Sequence, residues 1–282
     1  MDFSKILFRA SGNGNLMTDP QLKVQKDAGE LSQTTKTYLM QMHRELRWKR
    51  SKELSNKYIE KGIKQEEAAI TLLSRQLKKV LKKNDKRINN EFFTGEPDIF
   101  LGQSIMKVEN GYDTKCSFDC FTFPYPDDKK NKDYYWQAQT YCDLTGAKDW
   151  TVSYCLVNTP LNIIIREQER CYYAMECPDE SHPRFEEYLS RLIEIEKMHI
   201  FDHMEFLKEN PNYDFYCKDW RFDIPLIERV HSVTYPHNKE DIERLKERVI
   251  RSREWLKKYH NTHYPSVLIA SHDKEVGATI IE

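Results

Sequence analysis

GEPDIFLG at residues 95–102 and YDTKCSF at residues 112–118 are the two stretches on which the fold turns. Side chains alternate faces along a strand, so Asp113 and Lys115 project to one side while Tyr112, Thr114 and Cys116 project to the other. A carboxylate and an ammonium therefore share a small space. Asp98 on the neighbouring strand brings a second carboxylate, and two hard oxygen ligands with open positions suit Mg²⁺ or Mn²⁺. Lys115 would then orient an attacking water or help to deprotonate it. Acid-x-Lys recurs by chance in any charged chain, so its weight comes from context: a strand apolar on its other face, preceded by a Pro-Asp strand.

Outward from this pair, Asn110-Gly111 gives a turn signal between SIMKV and YDTKCSF. The polar loop PYPDDKKNK leads to Asp133, a candidate N-cap for the helix YYWQAQTYCDL, which Gly146 stops before the strand WTVSYCLV. Gln137 and Tyr141 lie four apart on one face of that helix, within reach of a phosphate or a metal-bound water. Upstream, helices are predicted over residues 35–58 and 65–82, with Gly62 between them. The second carries the stripe Ala68, Leu72, Leu73, Leu77, Val80 and Leu81, and places Glu66 in its first turn. A helix over residues 184–209, a strand over 229–235 and a last helix capped by Asn238 follow, with Ile242, Leu245, Val249 and Leu256 as its buried stripe. The order predicts an α/β (α+β) fold with a mixed central sheet flanked by helices. It spans residues 31–265, between a flexible arm at 1–30 and a tail at 266–282.

The charges of the whole chain cancel, 44 Lys and Arg against 45 Asp and Glu, but not locally. Residues 36–90 hold 16 basic and 6 acidic side chains, and residues 167–228 hold 16 acidic and 7 basic. The basic half contains HRELRWKR (43–50) and RQLKKVLKKNDKR (75–87), from which Arg44, Arg47, Arg50, Lys78, Lys79, Lys82 and Lys83 are candidate phosphate contacts. No apolar run approaches a membrane span, and no signal-peptide pattern opens the chain. Seven cysteines without a CxxC pair point to a reducing compartment, the cytoplasm, with Cys116, Cys142 and Cys155 as small buried hydrophobes. A P-loop is missing, which excludes an intrinsic ATP motor. His199 and His203 are four apart but lack the HExxH arrangement, and Glu196 and Asp202 read as a solvated face, so no zinc site is expected.

Taken in order, GIKQE (62–66), EPDIF (96–100), DTKCSF (113–118) and QAQTY (137–141) resemble the motifs of the PD-(D/E)XK nuclease superfamily. Within it they are similar to the lambda exonuclease-like branch, the YqaJ-type phage recombination exonucleases. The resemblance implies a restriction-endonuclease-like core and a Mg²⁺- or Mn²⁺-dependent deoxyribonuclease, foremost a 5′ to 3′ exonuclease on double-stranded DNA. By this resemblance Glu66, Asp98 and Asp113 are the acidic residues, with Asp113 standing where Glu is commoner, and Thr114 adds a backbone carbonyl to the metal. Lys115 is the catalytic lysine, and Gln137, with Tyr141 on its face, lies near the scissile phosphate or the 5′ end. Such relatives form ring-shaped trimers and hand single strands to an annealing protein, in the host cytoplasm where the source is viral. The alternatives are a structure-selective or restriction-like endonuclease, and a non-catalytic DNA-binding module of the same fold.

Overall fold

The computed structural model describes residues 1–52, 56–176, 179–219, 221 and 223–264. Along the chain run β1 (Phe8–Arg9), α1 (Lys23–Asp27), α2 (Gln33–Trp48), α3 (Lys57–Leu77), β2 (Ile88–Asn89), β3 (Phe93–Gly95), β4 (Ile99–Ser104) and β5 (Lys107–Cys116). Then come α4 (Lys132–Thr145), β6 (Asp149–Cys155), α5 (Leu161–Ala174), α6 (Phe185–His199), α7 (His203–Glu209), β7 (Val230–Pro236) and α8 (Lys239–His263).

The central sheet has the order β4-β5-β6-β7, with β5 and β6 parallel and the outer pairs antiparallel. A parallel neighbour needs a crossover, and α4 supplies it. Asn131, two residues before the expected Asp133, caps α4 by accepting from the Asp133 and Tyr134 N–H groups, and Gly146 ends it at a φ of 73°. Alternation on β6 divides the core. Trp150 and Val152 pack with Ala138 and Tyr141 of α4, whereas Cys155 packs with Ala69 and Leu73 of α3. A second small sheet, β1-β3-β2, is also mixed. The α+β class and the mixed central sheet flanked by helices are therefore as predicted.

Several local expectations are corrected by tertiary packing. The Asn110-Gly111 pair makes no turn: β5 runs straight through it, and the reversal lies between Ser104 and Lys107. A Cβ at Gly111 would come within 2.1 Å of the buried Trp150 ring, so this glycine serves close approach rather than chain reversal. The helices predicted to meet at Gly62 meet instead between Trp48 and Lys57, and Gly62 sits inside α3. Val80, placed on the apolar stripe, lies beyond the end of α3 and is exposed. The single helix expected over 184–209 is two, α6 and α7, because Asp202 caps a new start by accepting from the Glu205 N–H at 2.9 Å.

Residues 1–30 are not a free arm. Phe3, Phe8, Ala10 and Leu16 are buried in one core with α4 and α8. Asn13 donates to Thr140 Oγ1 at 2.8 Å, and the Arg253 guanidinium donates to the carbonyls of Ile6 at 2.8 Å and Glu91 at 2.7 Å. A two-residue strand followed by a 3-10 segment at Ala10–Met17 is too short for sequence periodicity to register. At the other end α8 behaves as predicted, capped by Asn238 with Ile242, Leu245, Val249 and Leu256 buried. The tail predicted at 266–282 lies outside the described residues. Cys142 and Cys155 are buried and Cys116 is partly buried, all as free thiols. Among the described residues, no helix is long and apolar enough to cross a membrane.

Candidate active site

β5 carries Asp113 and Lys115 on the face beneath α4, and the Lys115 Nζ is ion-paired with Asp113 Oδ2. The Asp113 side chain is 1% exposed, and beyond the Lys115 ammonium no donor reaches either of its oxygens among the described residues. Asp98 sits immediately before β4, and the pairing of Ile99 with Tyr112 brings it alongside. Its Oδ2 accepts from the Thr114 N–H at 2.8 Å and from Thr114 Oγ1 at 3.1 Å. Burial, and then the neighbouring Asp113 charge, push the Asp98 carboxyl up to about 7. Burial works against the charge on Lys115, but the carboxylates of Asp113 and Asp98 outweigh it and hold the ammonium above the usual lysine value. Lys115 also lies over the Tyr134 ring, 5.1 Å from its centroid. An ammonium held this firmly in its charged form is no proton acceptor at neutral pH.

The other expected site residues divide. Gln137 Nε2 donates to the Tyr141 hydroxyl at 3.1 Å, and that hydroxyl donates to the Glu96 carbonyl at 3.2 Å. Tyr141 thus clamps the strand two residues ahead of Asp98. Burial drives its phenol well above the ordinary value, with Asp113 adding to the effect, so it stays neutral. Glu66 approaches from α3 and is held by Lys83 at 2.8 Å. Lys83, expected as a phosphate contact, is therefore engaged by the carboxylate of the site. Lys78, Lys79 and Lys82 are exposed and make no ion pair among the described residues. Arg44 and Arg47 lie on α2, where Arg47 stacks on the Tyr264 ring. Arg50 lines a separate cleft of about 530 Å³ with Arg9, Ser11 and Tyr38.

The sequence missed three supporting side chains. Asn84 is buried and donates through Nδ2 to the Pro97 carbonyl at 2.9 Å, while its N–H donates to the Asp98 carbonyl at 2.7 Å. Lys61 is fully buried on α3; burial lowers its amine to about 7, and it donates to the Phe118 carbonyl at 3.0 Å. Neither has a local signal, since both answer to carbonyls far away in the chain. Glu196 is the third, and it corrects an expectation. It is fully buried, not solvated, and accepts from Tyr213 Oη, Tyr216 N–H and Cys217 N–H at 2.9, 3.0 and 2.7 Å. His199 and His203 fall on different helices and turn to Thr159 and Asp223.

No three His, Cys, Asp or Glu side chains among the described residues gather closely enough to cage a metal by themselves. Asp98 and Asp113 nevertheless fit a hard cation. Mg²⁺ commonly takes one or two carboxylates and completes its shell with water and phosphate, and the buried Asp113 oxygens have only Lys115 as a partner among the described residues.

No protein-family model and no curated protein matches the chain. Among solved structures it is similar to a phage-related exonuclease from Haemophilus somnus 129PT, at 26% identity and a TM-score of 0.65, over 92% of this chain and 96% of that one. It is also similar to LHK-Exo, an alkaline exonuclease from Laribacter hongkongensis, at 11% identity and a TM-score of 0.51, over 93% of this chain and 92% of that one. The same enzyme in complex with dAMP aligns at 13% identity and a TM-score of 0.51, over 92% and 93% of the two chains. The chain thus shares the fold of these exonucleases over nearly its whole length, and in this chain the fold holds a buried carboxylate–lysine cluster.

Proposed function

We propose that the chain is a Mg²⁺- or Mn²⁺-dependent deoxyribonuclease, a 5′ to 3′ exonuclease on double-stranded DNA. The observation that carries this reading is the Asp113 carboxylate, buried beside Asp98 with the Lys115 ammonium as its one partner among the described residues. Two buried acids that share one ammonium leave negative charge that a bound cation would balance. Asp98, Asp113 and the Thr114 carbonyl would hold the metal, with Glu66 joining when Lys83 lets go. A metal bound there supplies Lewis-acid polarisation of the phosphate and a more acidic water.

The chain's own residues do the rest. Lys115, fixed in its charged form, stabilises negative charge developing on the phosphate and orients the nucleophile. Tyr141 and Gln137 hold Glu96, and through it the approach of Asp98. Lys78, Lys79 and Lys82 supply sequence-independent phosphate contacts, with Arg44, Arg47 and Arg50 further along the basic half. The similarity to two exonucleases, and the dAMP held by the Laribacter enzyme, support a site for a nucleoside monophosphate unit. A trimeric ring and an annealing-protein partner rest on the sequence resemblance, and light scattering coupled to gel filtration tests the former.

The deciding experiment digests end-labelled linear duplex, bearing 5′-phosphate or 5′-hydroxyl, and a closed circle with Mg²⁺. Release of labelled mononucleotide from the linear duplex alone is expected, together with its loss in Asp113→Asn and Lys115→Ala. Cutting of the circle would replace the exonuclease with an endonuclease. Binding without cleavage of any DNA would leave only the non-catalytic module.

A further inference from the structure

A row of rings leads away from the catalytic cluster. Lys115, Tyr154 and His231 are register partners across β5, β6 and β7, so their side chains share one sheet face. Lys115 lies against Tyr134, Tyr134 packs on Tyr154 with centroids 5.9 Å apart, and Tyr154 stacks on His231 at 6.2 Å with an interplanar angle of 30°. The row opens into a cleft of about 240 Å³ that Tyr154 and His231 share with Tyr125, Lys129 and Lys130 of the β5–α4 connection.

That connection is built to present its ring. Asp128 Oδ2 accepts from the Tyr125 N–H at 2.7 Å, and the Asp128 N–H returns to the Tyr125 carbonyl at 3.0 Å, closing the turn. Tyr125 is nevertheless 76% exposed, and Phe121, four residues earlier, is 80% exposed. A closed turn that leaves a large ring in water buries no core surface and leaves that ring available to a contact from outside the chain. Asp128 is spent on the turn, whereas Lys129 makes no ion pair among the described residues and Lys130 lies over the Tyr235 ring.

We propose that this face is a binding track for single-stranded nucleic acid, along which unpaired bases stack on Tyr125, Tyr154 and His231 while Lys129 and Lys130 hold the phosphates. Rings and lysines in alternation suit single strands, because only unpaired bases offer their faces for stacking. The track deepens the nuclease reading and rests on it for continuity with Lys115: it would guide one strand to or from the cluster after the duplex opens.

The test is fluorescence anisotropy of a short labelled oligothymidylate with the full chain, without divalent cations, so that nothing is cut. Tyr125→Ala is expected to weaken binding about tenfold, in line with the loss of one stacked base. Lys129→Ala with Lys130→Ala is expected to lower the slope of log affinity against log salt by about 1.4, two single-strand phosphates' worth. Blunt duplex of equal length should bind these variants as it binds the wild type, and thermal melts should be unchanged, since the altered residues are exposed. Photocrosslinking of an iodouracil-substituted oligonucleotide should map to Tyr154 or His231. Equal oligonucleotide affinity in wild type and variants, or equal losses for duplex and single strand, would overturn the track. Tyr125-dependent binding in a protein that never cleaves DNA upholds the track and sinks the nuclease reading. Tyr125-independent binding in a protein that does cleave DNA does the reverse.

Discussion

Asp113 and Glu196 are both carboxylates shut away from water, and their surroundings could hardly differ more. Glu196 on α6 meets a hydroxyl and two backbone N–H groups, which tie the 213–217 segment to the helix. Asp113 on β5 meets a single ammonium, with a second acid close by and no further donor among the described residues. A satisfied buried acid fastens chain to chain. An acid with one partner and a like charge beside it has lone pairs to offer a ligand. Burial alone therefore separates neither function from structure; the donor count does.

The sharpest way to break this contrast is to neutralise both acids. Asp113→Asn is expected to lower nuclease activity by on the order of 10³-fold, with a loss of stability limited by Asp98, which still faces the ammonium that Asp113 leaves behind. Glu196→Ala should act on stability alone. Two backbone N–H groups lose a charged acceptor, at a cost of about 3 kcal/mol of unfolding free energy, while activity per folded molecule stays at the wild-type level. If Glu196→Ala were inactive yet stable, the two acids would not differ in kind.

A milder probe is pH. The carboxyl of Asp98 is raised to about 7 in the folded chain, so the folded form binds its proton more tightly than the unfolded one. Its contribution to stability is full below the unfolded carboxylate value and is lost as pH rises through about 7. A cation that screens Asp98 from Asp113 should reverse the loss. A few millimolar Mg²⁺ is thus expected to raise the melting temperature at pH 8 and to do little at pH 5, as read by differential scanning calorimetry. Equal shifts at both pH values would remove the metal from the site. The smallest effect is expected on the exposed basic run. Changing Lys78, Lys79 and Lys82 together to Ala should reduce the salt slope of duplex binding by at most about 2.7, with turnover at low salt barely altered.

Much of the site was legible in the sequence because its parts are local. Asp113 and Lys115 are two apart on one strand, and Gln137 and Tyr141 four apart on one helix, so strand and helix periods alone place them together. The pairing of Asp98 with that strand followed from a Pro-Asp strand adjoining it. Illegible were the groups whose meaning comes from distant partners: Asn84 under the Pro97 turn, Lys61 at the Phe118 carbonyl, Lys83 on Glu66, and Glu196 beneath a loop that begins with Tyr213. Gly111 shows the same limit, because a turn signal lost to an indole that needed the space.

The sequence by itself determined the α+β order of elements, the basic and acidic halves, and the acid-x-Lys strand, since periodicity and composition act over neighbouring residues. Only the tertiary structure decided that residues 1–17 belong to the core, and that Asp113 is buried with a lone ammonium where Glu196 has three donors. It alone lined up Tyr134, Tyr154 and His231 beside Lys115. The physical reason is common to all three: desolvation and hydrogen-bond satisfaction depend on what surrounds a group in space, and the surroundings come from segments that a local reading treats as unrelated.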